Sequence, residues 1–129
     1  MIVVDASALV AIAQREEERD AFLSLIDRID IGYLSPINYV EAGGILTRRR
    51  LFSGRDRFDD WLAGMGLELR EDVELGADAL AAYLRYGKGF HPARLNLADC
   101  FAYALAKQLD APLLYKGDDF AKTDIRSAL

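Results

Sequence analysis

Several acidic residues of this sequence lie beside short apolar runs, where their carboxylates could bind a metal ion or take part in catalysis, rather than only on polar faces. They are Asp5, Glu41, Asp99 and the adjacent pair Asp118 and Asp119. Several carboxylates share a pocket only with a counter-charge, because like charges raise each other's pKa. A divalent cation supplies that charge, and such a site suits metal-assisted hydrolysis of a phosphodiester. Oxygen donors favour Mg²⁺ or Mn²⁺ over zinc or copper.

Glu41 carries the strongest of these signals. Its neighbours four residues away on either side, Ile37 and Ile45, are apolar, so all three share one stripe of a helix. A carboxylate on an apolar stripe is costly unless it is paired or holds a metal. The alternative is an ion pair with one of the arginines at 48–50. We expect a functional role.

The other acids each have a structural alternative. Asp5 is a favoured helix N-cap. Asp99 follows Asn96 by three residues, which fits a capping arrangement at a helix start. The pair Asp118 and Asp119 fits a solvated turn. Function becomes the better hypothesis if the fold brings these acids together.

Short apolar runs alternate with helical patterns, which indicates an α/β fold with a mostly parallel sheet of four or five strands. The predicted strands are 2–4, 32–34, 67–69 and 113–115. The predicted helices are 6–14, 16–29, 35 to about 50, 53 to 63 or 64, 73–86, and one capped by Asn96 with an apolar stripe at Leu97, Phe101, Leu105 and Leu109. Ligands bind beyond the carboxyl ends of parallel strands. Because the acids follow strands or lie in adjacent helices, we expect them to converge there.

Composition limits the class of protein. The 129 residues, 52% of them hydrophobic and 29% charged, predict one globular domain over 1–129. A single cysteine, Cys100, excludes an internal disulfide, and a single histidine, His91, argues against a histidine-rich metal site. The net charge of −5 disfavours a general nucleic-acid coat protein. It restricts RNA contact to a local basic face and suits a basic protein partner.

The amino terminus is apolar, but no signal peptide is predicted, because a basic leader is lacking and Asp5 interrupts the run. No stretch approaches the roughly 20 apolar residues of a membrane helix. We expect a cytoplasmic protein with no membrane partner.

Basic residues cluster in three places. The run at 48–50 is continued by Arg55 and Arg57 and is interpreted mainly as a solvated face. The loop before the Asp99 helix is better placed to meet phosphate, and a further lysine stands among the terminal acids. The candidate RNA-binding residues are Lys88, His91, Arg94 and Lys116. With Pro92 behind it, His91 is interpreted as a loop residue rather than a general base.

Three stretches resemble a known family, in order and along the whole chain. Residues 2–9, IVVDASAL, resemble the opening of PIN domains. Residues 86–89, YGKG, with 95–106, LNLADCFAYALA, resemble the most characteristic stretch of the VapC-like toxins. Residues 113–120, LLYKGDDF, followed by Thr-Asp-Ile at 123–125, resemble their closing motif.

This resemblance implies a PIN-like three-layer fold and a Mg²⁺- or Mn²⁺-dependent ribonuclease toxin of a type II toxin–antitoxin module. Its substrate would be a structured RNA such as tRNA or rRNA, cut by metal-activated water. The family's four acids match Asp5, Glu41, Asp99 and Asp119, with Asp5 and Asp99 as the first candidates for direct metal ligands. Supporting roles fall to Ser7, Asn96 and Asp118. The resemblance also implies a homodimer and a cognate antitoxin that places a basic residue against the acidic site.

Two other classes of protein remain open. A receiver domain is also small, parallel and acidic, and Lys116 would mimic its lysine, but it needs paired acids after the first strand and an aspartate after the third. Here Asp5 stands alone and the third strand ends in Leu69-Arg70. A non-catalytic module could use the acids to dock a basic partner. A phosphatase with an Asp-x-Asp nucleophile is disfavoured by Ser7.

Overall fold

A computed structural model describes all 129 residues. Four strands form one sheet with the order β3-β2-β1-β4, and every neighbouring pair is parallel. The strands are β1 (Ile2–Val4), β2 (Gly32–Leu34), β3 (Leu67–Leu69) and β4 (Leu113–Leu114). A single bridge between Leu113 and Ser127 lies beside β4 in place of a fifth strand. The predicted parallel sheet of four or five strands is confirmed.

The sheet separates two apolar cores, because successive side chains of a strand point to opposite faces. In β1, Ile2 and Val4 pack into one core and Val3 into the other. The same alternation divides Leu114 from Leu113 in β4. Both faces are buried, which explains why the strands have few polar residues.

Helices cover both faces and complete three layers. The first face carries α1 (Ala6–Ala13), α2 (Arg19–Ile26), α3 (Pro36–Arg48) and α4 (Arg55–Gly64). The second face carries α5 (Gly76–Tyr86) and α6 (Leu97–Gln108). None of these helices combines the length and apolar character needed to cross a membrane.

The helix boundaries differ from the sequence prediction by a few residues at most ends. The second helix begins at Arg19 rather than 16, because Arg15 has a left-handed φ of 57° and the chain turns before α2. Likewise α3 ends near Arg48, since Arg50 has φ of 63°.

The predicted apolar stripe of the last long helix is wrong at its first position. Leu97 is 63% exposed, whereas Leu105 is fully buried. Alanines make up much of the packed surface of α6, and the helix is buried on most of its circumference between the sheet and its neighbours. Its buried side chains are Ala98, Cys100, Ala102, Tyr103, Ala104, Leu105 and Ala106.

Candidate active site

Asp5 follows β1 directly and caps α1. Its Oδ2 accepts hydrogen bonds from the backbone nitrogen of Ser7 at 3.0 Å and from Ser7 Oγ at 2.5 Å. The side chain is almost fully buried, at 3% exposure. Burial raises the pKa of Asp5 to about 6, against the lowering effect of the Ser7 hydrogen bonds, and the charge of Glu41 adds to the rise. The hydrogen bond from the Ser7 backbone nitrogen confirms that Asp5 is the N-cap of α1. This capping role is compatible with a second role of Asp5 in the candidate active site.

A buried amide holds the second oxygen of Asp5. Asn38, in the first turn of α3, donates from Nδ2 to Asp5 Oδ1 at 3.3 Å and to the carbonyl oxygen of Ala98 at 3.4 Å. Its Oδ1 accepts from Ser35 Oγ at 2.6 Å. One side chain thus joins β1, α3 and the start of α6.

Asp99 lies in the first turn of α6. Its backbone nitrogen donates to Asn96 Oδ1 at 2.8 Å, and its Oδ2 accepts from the Asn96 backbone nitrogen at 3.0 Å, which completes a capping box. Burial first, and then the charges of Asp5 and Asp119, raise the pKa of Asp99 to about 6. The adjacent Cys100 is fully buried, and burial together with the charge of Asp99 raises its thiol pKa to about 11.

Glu41 lies on α3 and lines the same cleft as Asp5 and Asp99. It makes no ion pair with the arginines at 48–50, so that alternative is wrong. Burial, and then the charge of Asp99, raise the pKa of Glu41.

The structure distinguishes between the adjacent acids of the closing motif. Asp119 lines the cleft that also holds Asp5, Glu41 and Asp99, and its charge contributes to the raised pKa of Asp99. Asp118 is exposed and lies outside the lining of this space.

These residues line one open cleft of about 360 Å³ at the carboxyl edge of the sheet. The cleft brings together the four predicted acids with Ser7, Asn96 and Lys116. Glu16, from the turn between α1 and α2, is a fifth carboxylate that sequence reasoning missed. Asn38 was missed as well. The pattern offered no signal for Glu16, which follows a helix rather than a strand.

Ser7 ties two sides of the cleft together. Its hydroxyl donates to Asp5 and accepts from the backbone nitrogen of Lys116 at 3.0 Å, just after β4. The end of β4 is thereby fixed relative to Asp5.

The basic loop before α6 does not reach the cleft. Lys88, His91 and Arg94 are absent from its lining. His91 Nδ1 accepts from the backbone nitrogen of Ala93 at 3.0 Å, and its ring packs edge-on against Tyr86. This supports the interpretation of His91 as a loop residue, and RNA contact by these three residues stays a prediction.

Comparison with known proteins identifies the family. The sequence profile of the PIN domain matches residues 2–126. Ribonuclease VapC30 of Mycobacterium tuberculosis is 40% identical over 128 residues, covering 96% of this chain and 95% of that protein. Ribonuclease VapC42 of the same organism is 40% identical over 129 residues, covering 98% of each. This chain belongs to the VapC ribonucleases of the PIN domain family.

The solved structures agree with this assignment at the level of fold. VapC20 of Mycobacterium tuberculosis superposes with a TM-score of 0.73 and 15% identity, over 97% of this chain and 96% of that one. The resemblance to VapC-like PIN domains is confirmed, and the receiver-domain alternative is wrong.

The donor set of this VapC cleft fits a hard divalent cation. No three carboxylate, histidine or thiol groups converge tightly enough to enclose a metal ion by themselves. Mg²⁺ is commonly held by one or two carboxylates, with water and substrate phosphate completing its octahedron. The charge of Asp5 raises the pKa of Asp99, and the charge of Glu41 raises the pKa of Asp5; a bound cation would relieve this repulsion.

Proposed function

We propose that this VapC protein is a Mg²⁺-dependent endoribonuclease toxin, with Mn²⁺ as a substitute. It cleaves a structured RNA, such as tRNA or rRNA, with water as the nucleophile and so inhibits translation in the cytoplasm. A cognate antitoxin neutralises it.

The observation that carries the proposal is the electrostatic coupling of the acids that line one cleft. The charge of Glu41 raises the pKa of Asp5, and the charges of Asp5 and Asp119 raise the pKa of Asp99. Four carboxylates from four separate segments of the chain therefore share one electrostatic environment. Such an arrangement costs stability in the free protein, and a bound cation offsets that cost.

The chain's residues have distinct roles in this proposal. Asp5 and Asp99 bind the cation directly, and Glu41 and Asp119 complete the site directly or through water. Ser7 and Asn38 fix the two oxygens of Asp5, and Asn96 fixes Asp99 through the capping box. A divalent cation supplies a Lewis acid that polarises the phosphodiester and activates water. Rigid placement of its ligands aligns the reacting groups without reorganisation.

The choice of a structured RNA as substrate has support from a relative. VapC20 is described as a toxin that cleaves the sarcin-ricin loop. Its likeness to this chain is in fold, so the RNA that this protein cleaves is identified by mapping its own products.

An antitoxin partner is supported by an apolar groove between α3 and α4. This groove, of about 380 Å³, is lined by Tyr39, Val40, Gly43, Gly44, Thr47, Arg48, Arg55 and Phe58. Val40 is 69% exposed, and two adjacent glycines leave the surface of α3 open. An amphipathic helix from a partner would bury this surface. We also propose the homodimer that the family resemblance implies, for which the exposed Leu80, Leu84 and Phe90 offer apolar surface elsewhere.

The deciding experiment is RNA cleavage by folded protein that is free of antitoxin. Total cellular RNA is incubated with Mg²⁺, Mn²⁺ or chelator, and cut positions are mapped by primer extension. We expect discrete metal-dependent cuts that are lost in Asp99→Asn, which keeps the size and capping capacity of the side chain.

The control is Asp118→Asn, which makes the same change one residue from the cleft lining. We expect it to retain cleavage. Equal cleavage by wild type and Asp99→Asn would reject the assignment of the site. An absence of cleavage with every metal would favour the non-catalytic binding module.

A further inference from the structure

Two cations stand at the rim of the cleft, outside the four acids. The first is Arg49, which continues the stripe of α3 formed by Glu41 and Ile45 at intervals of four residues. Glu41 and Ile45 line the cleft, so Arg49 extends beyond its edge. Its Nη1 donates to Oε1 of Gln14 at 2.5 Å, at the end of α1.

The second cation is Lys116, which follows β4 and lines the cleft. Its backbone nitrogen is fixed by Ser7 Oγ, so its Cα has a defined position relative to Asp5. Its Nζ pairs with Glu16 Oε1 and lies 3.1 Å from Glu18 Oε2. The Lys116 side chain is 40% exposed.

Glu16 connects the two cations. It bonds to Lys116 and accepts from Gln14 Nε2 at 3.2 Å, while Gln14 also accepts from Arg49. Arg49 is close enough that its charge, after the larger effect of Lys116, lowers the pKa of Glu16. Glu16 thus pairs directly with Lys116 and is linked to Arg49 through Gln14, and both cations remain accessible to solvent.

A phosphate offers the same charge and the same acceptor oxygens as this carboxylate. RNA approaching the acidic cleft meets repulsion, and cations at the rim are needed to hold its backbone. We propose that Arg49 and Lys116 bind the RNA phosphates that flank the scissile one, and that Glu16, which pairs with Lys116 and is linked to Arg49 through Gln14, competes with phosphate for these cations. This inference rests on the proposed function in taking RNA as the substrate.

The competing interpretation is a structural ion cluster that ties the turn after α1 to the end of β4. The two interpretations predict different effects of neutralising Glu16 on RNA binding. If the cluster only supports the fold, neutralising Glu16 weakens RNA binding or leaves it unchanged. If Glu16 competes with phosphate, neutralising it strengthens RNA binding.

The test compares Arg49→Gln, Lys116→Gln, the double variant and Glu16→Gln. Binding of a fluorescein-labelled RNA hairpin is followed by anisotropy in chelator at several salt concentrations, and kcat and KM are measured with Mg²⁺.

We expect each cation variant to raise Kd and KM about fivefold with kcat little changed, since a phosphate contact is lost. The double variant should make the dependence of log K on log salt shallower by about 1.4 to 1.8. Glu16→Gln should lower both Kd and KM.

The matched control is Arg28→Gln, which removes an exposed arginine that forms no ion pair and lies four residues before β2. Circular dichroism and thermal unfolding establish that each variant is folded. Cation variants that behave like Arg28→Gln, or a Glu16→Gln variant that binds RNA more weakly, would overturn the inference while leaving cleavage intact.

Failure of the proposed function has a different signature. In that case the wild type cleaves no RNA with any metal. Anisotropy in chelator still decides the inference, because loss of hairpin binding in the cation variants supports it and an absence of binding by the wild type rejects it.

Discussion

Asn38 Nδ2 lies 3.3 Å from Asp5 Oδ1, although 33 residues separate the two in the chain. The same buried amide reaches the carbonyl of Ala98 at the start of α6 and accepts from Ser35. Three elements that carry acids of the site are therefore held in register by one uncharged side chain.

Replacing this amide should affect both stability and the site. Asn38→Leu keeps the number and branching of the side-chain heavy atoms, although its methyl groups are larger, and leaves Asp5 and Ser35 without their buried partner. We expect a loss of about 1–3 kcal/mol in the free energy of unfolding, measured in urea. Cleavage should fall mainly through kcat, because Asp5 loses its orientation. An unchanged urea midpoint would show that this hydrogen-bond network contributes nothing.

The acids should make the metal-free protein less stable at neutral pH than in mild acid. Asp5 has a folded pKa of about 6 against an ordinary value of 3.8, so the folded state holds its proton more tightly. The stability that this group contributes is complete below pH 4 and is lost as pH rises through 6.

This pH effect is isolated by comparing wild type with Asp5→Asn. Relative to wild type, the variant should gain about 2 kcal/mol in unfolding free energy between pH 4.5 and pH 7.5 in chelator. Urea unfolding at several pH values measures the difference. A difference between the two proteins that is independent of pH would contradict the raised pKa.

Divalent cations should stabilise the folded protein. Binding of Mg²⁺ or Mn²⁺ to the folded state alone adds about 2.7 kcal/mol at a concentration a hundred times Kd. Thermal unfolding should show a rising Tm with wild type and little change with Asp99→Asn. A non-catalytic module would show no difference between these two proteins.

Two adjacent glycines of α3 should respond oppositely to the same substitution. A Cβ at Gly43 would lie 2.9 Å from Phe58 Cε2, whereas a Cβ at Gly44 meets nothing within 4 Å. Gly43→Ala should cost about 1–3 kcal/mol by overpacking. Gly44→Ala should gain about 0.5–1 kcal/mol from helix propensity. Equal Tm values for the two variants would show that Phe58 moves aside freely.

The sheet and most helices were predictable because each strand is a short buried run with a clear boundary. Pro36 after Ser35 marked the start of α3, and Asn96 marked the start of α6, and both serve as predicted. The convergence of Asp5, Glu41 and Asp99 followed from parallel topology alone.

Other features depended on tertiary packing, which periodicity does not record. Leu97 fits the helical stripe but projects from the first turn of α6 into solvent, whereas Leu105 and Tyr103 pack into the core together with several alanines. Asn38 looked like an ordinary polar residue until the fold placed Asp5 beside it. Glu16 entered the cleft through a turn with a left-handed residue at Arg15, a conformation that the sequence pattern did not signal.

The burial of Cys100 gives this protein a convenient chemical property. Its only thiol is hidden and protonated at physiological pH, so alkylating reagents and disulfides do not react with it while α6 stays packed. A fluorophore can therefore be attached through one new surface cysteine, such as Lys122→Cys, with the native residue left in place. Slow labelling of Cys100 itself would then time the rare openings of the helix that carries Asp99.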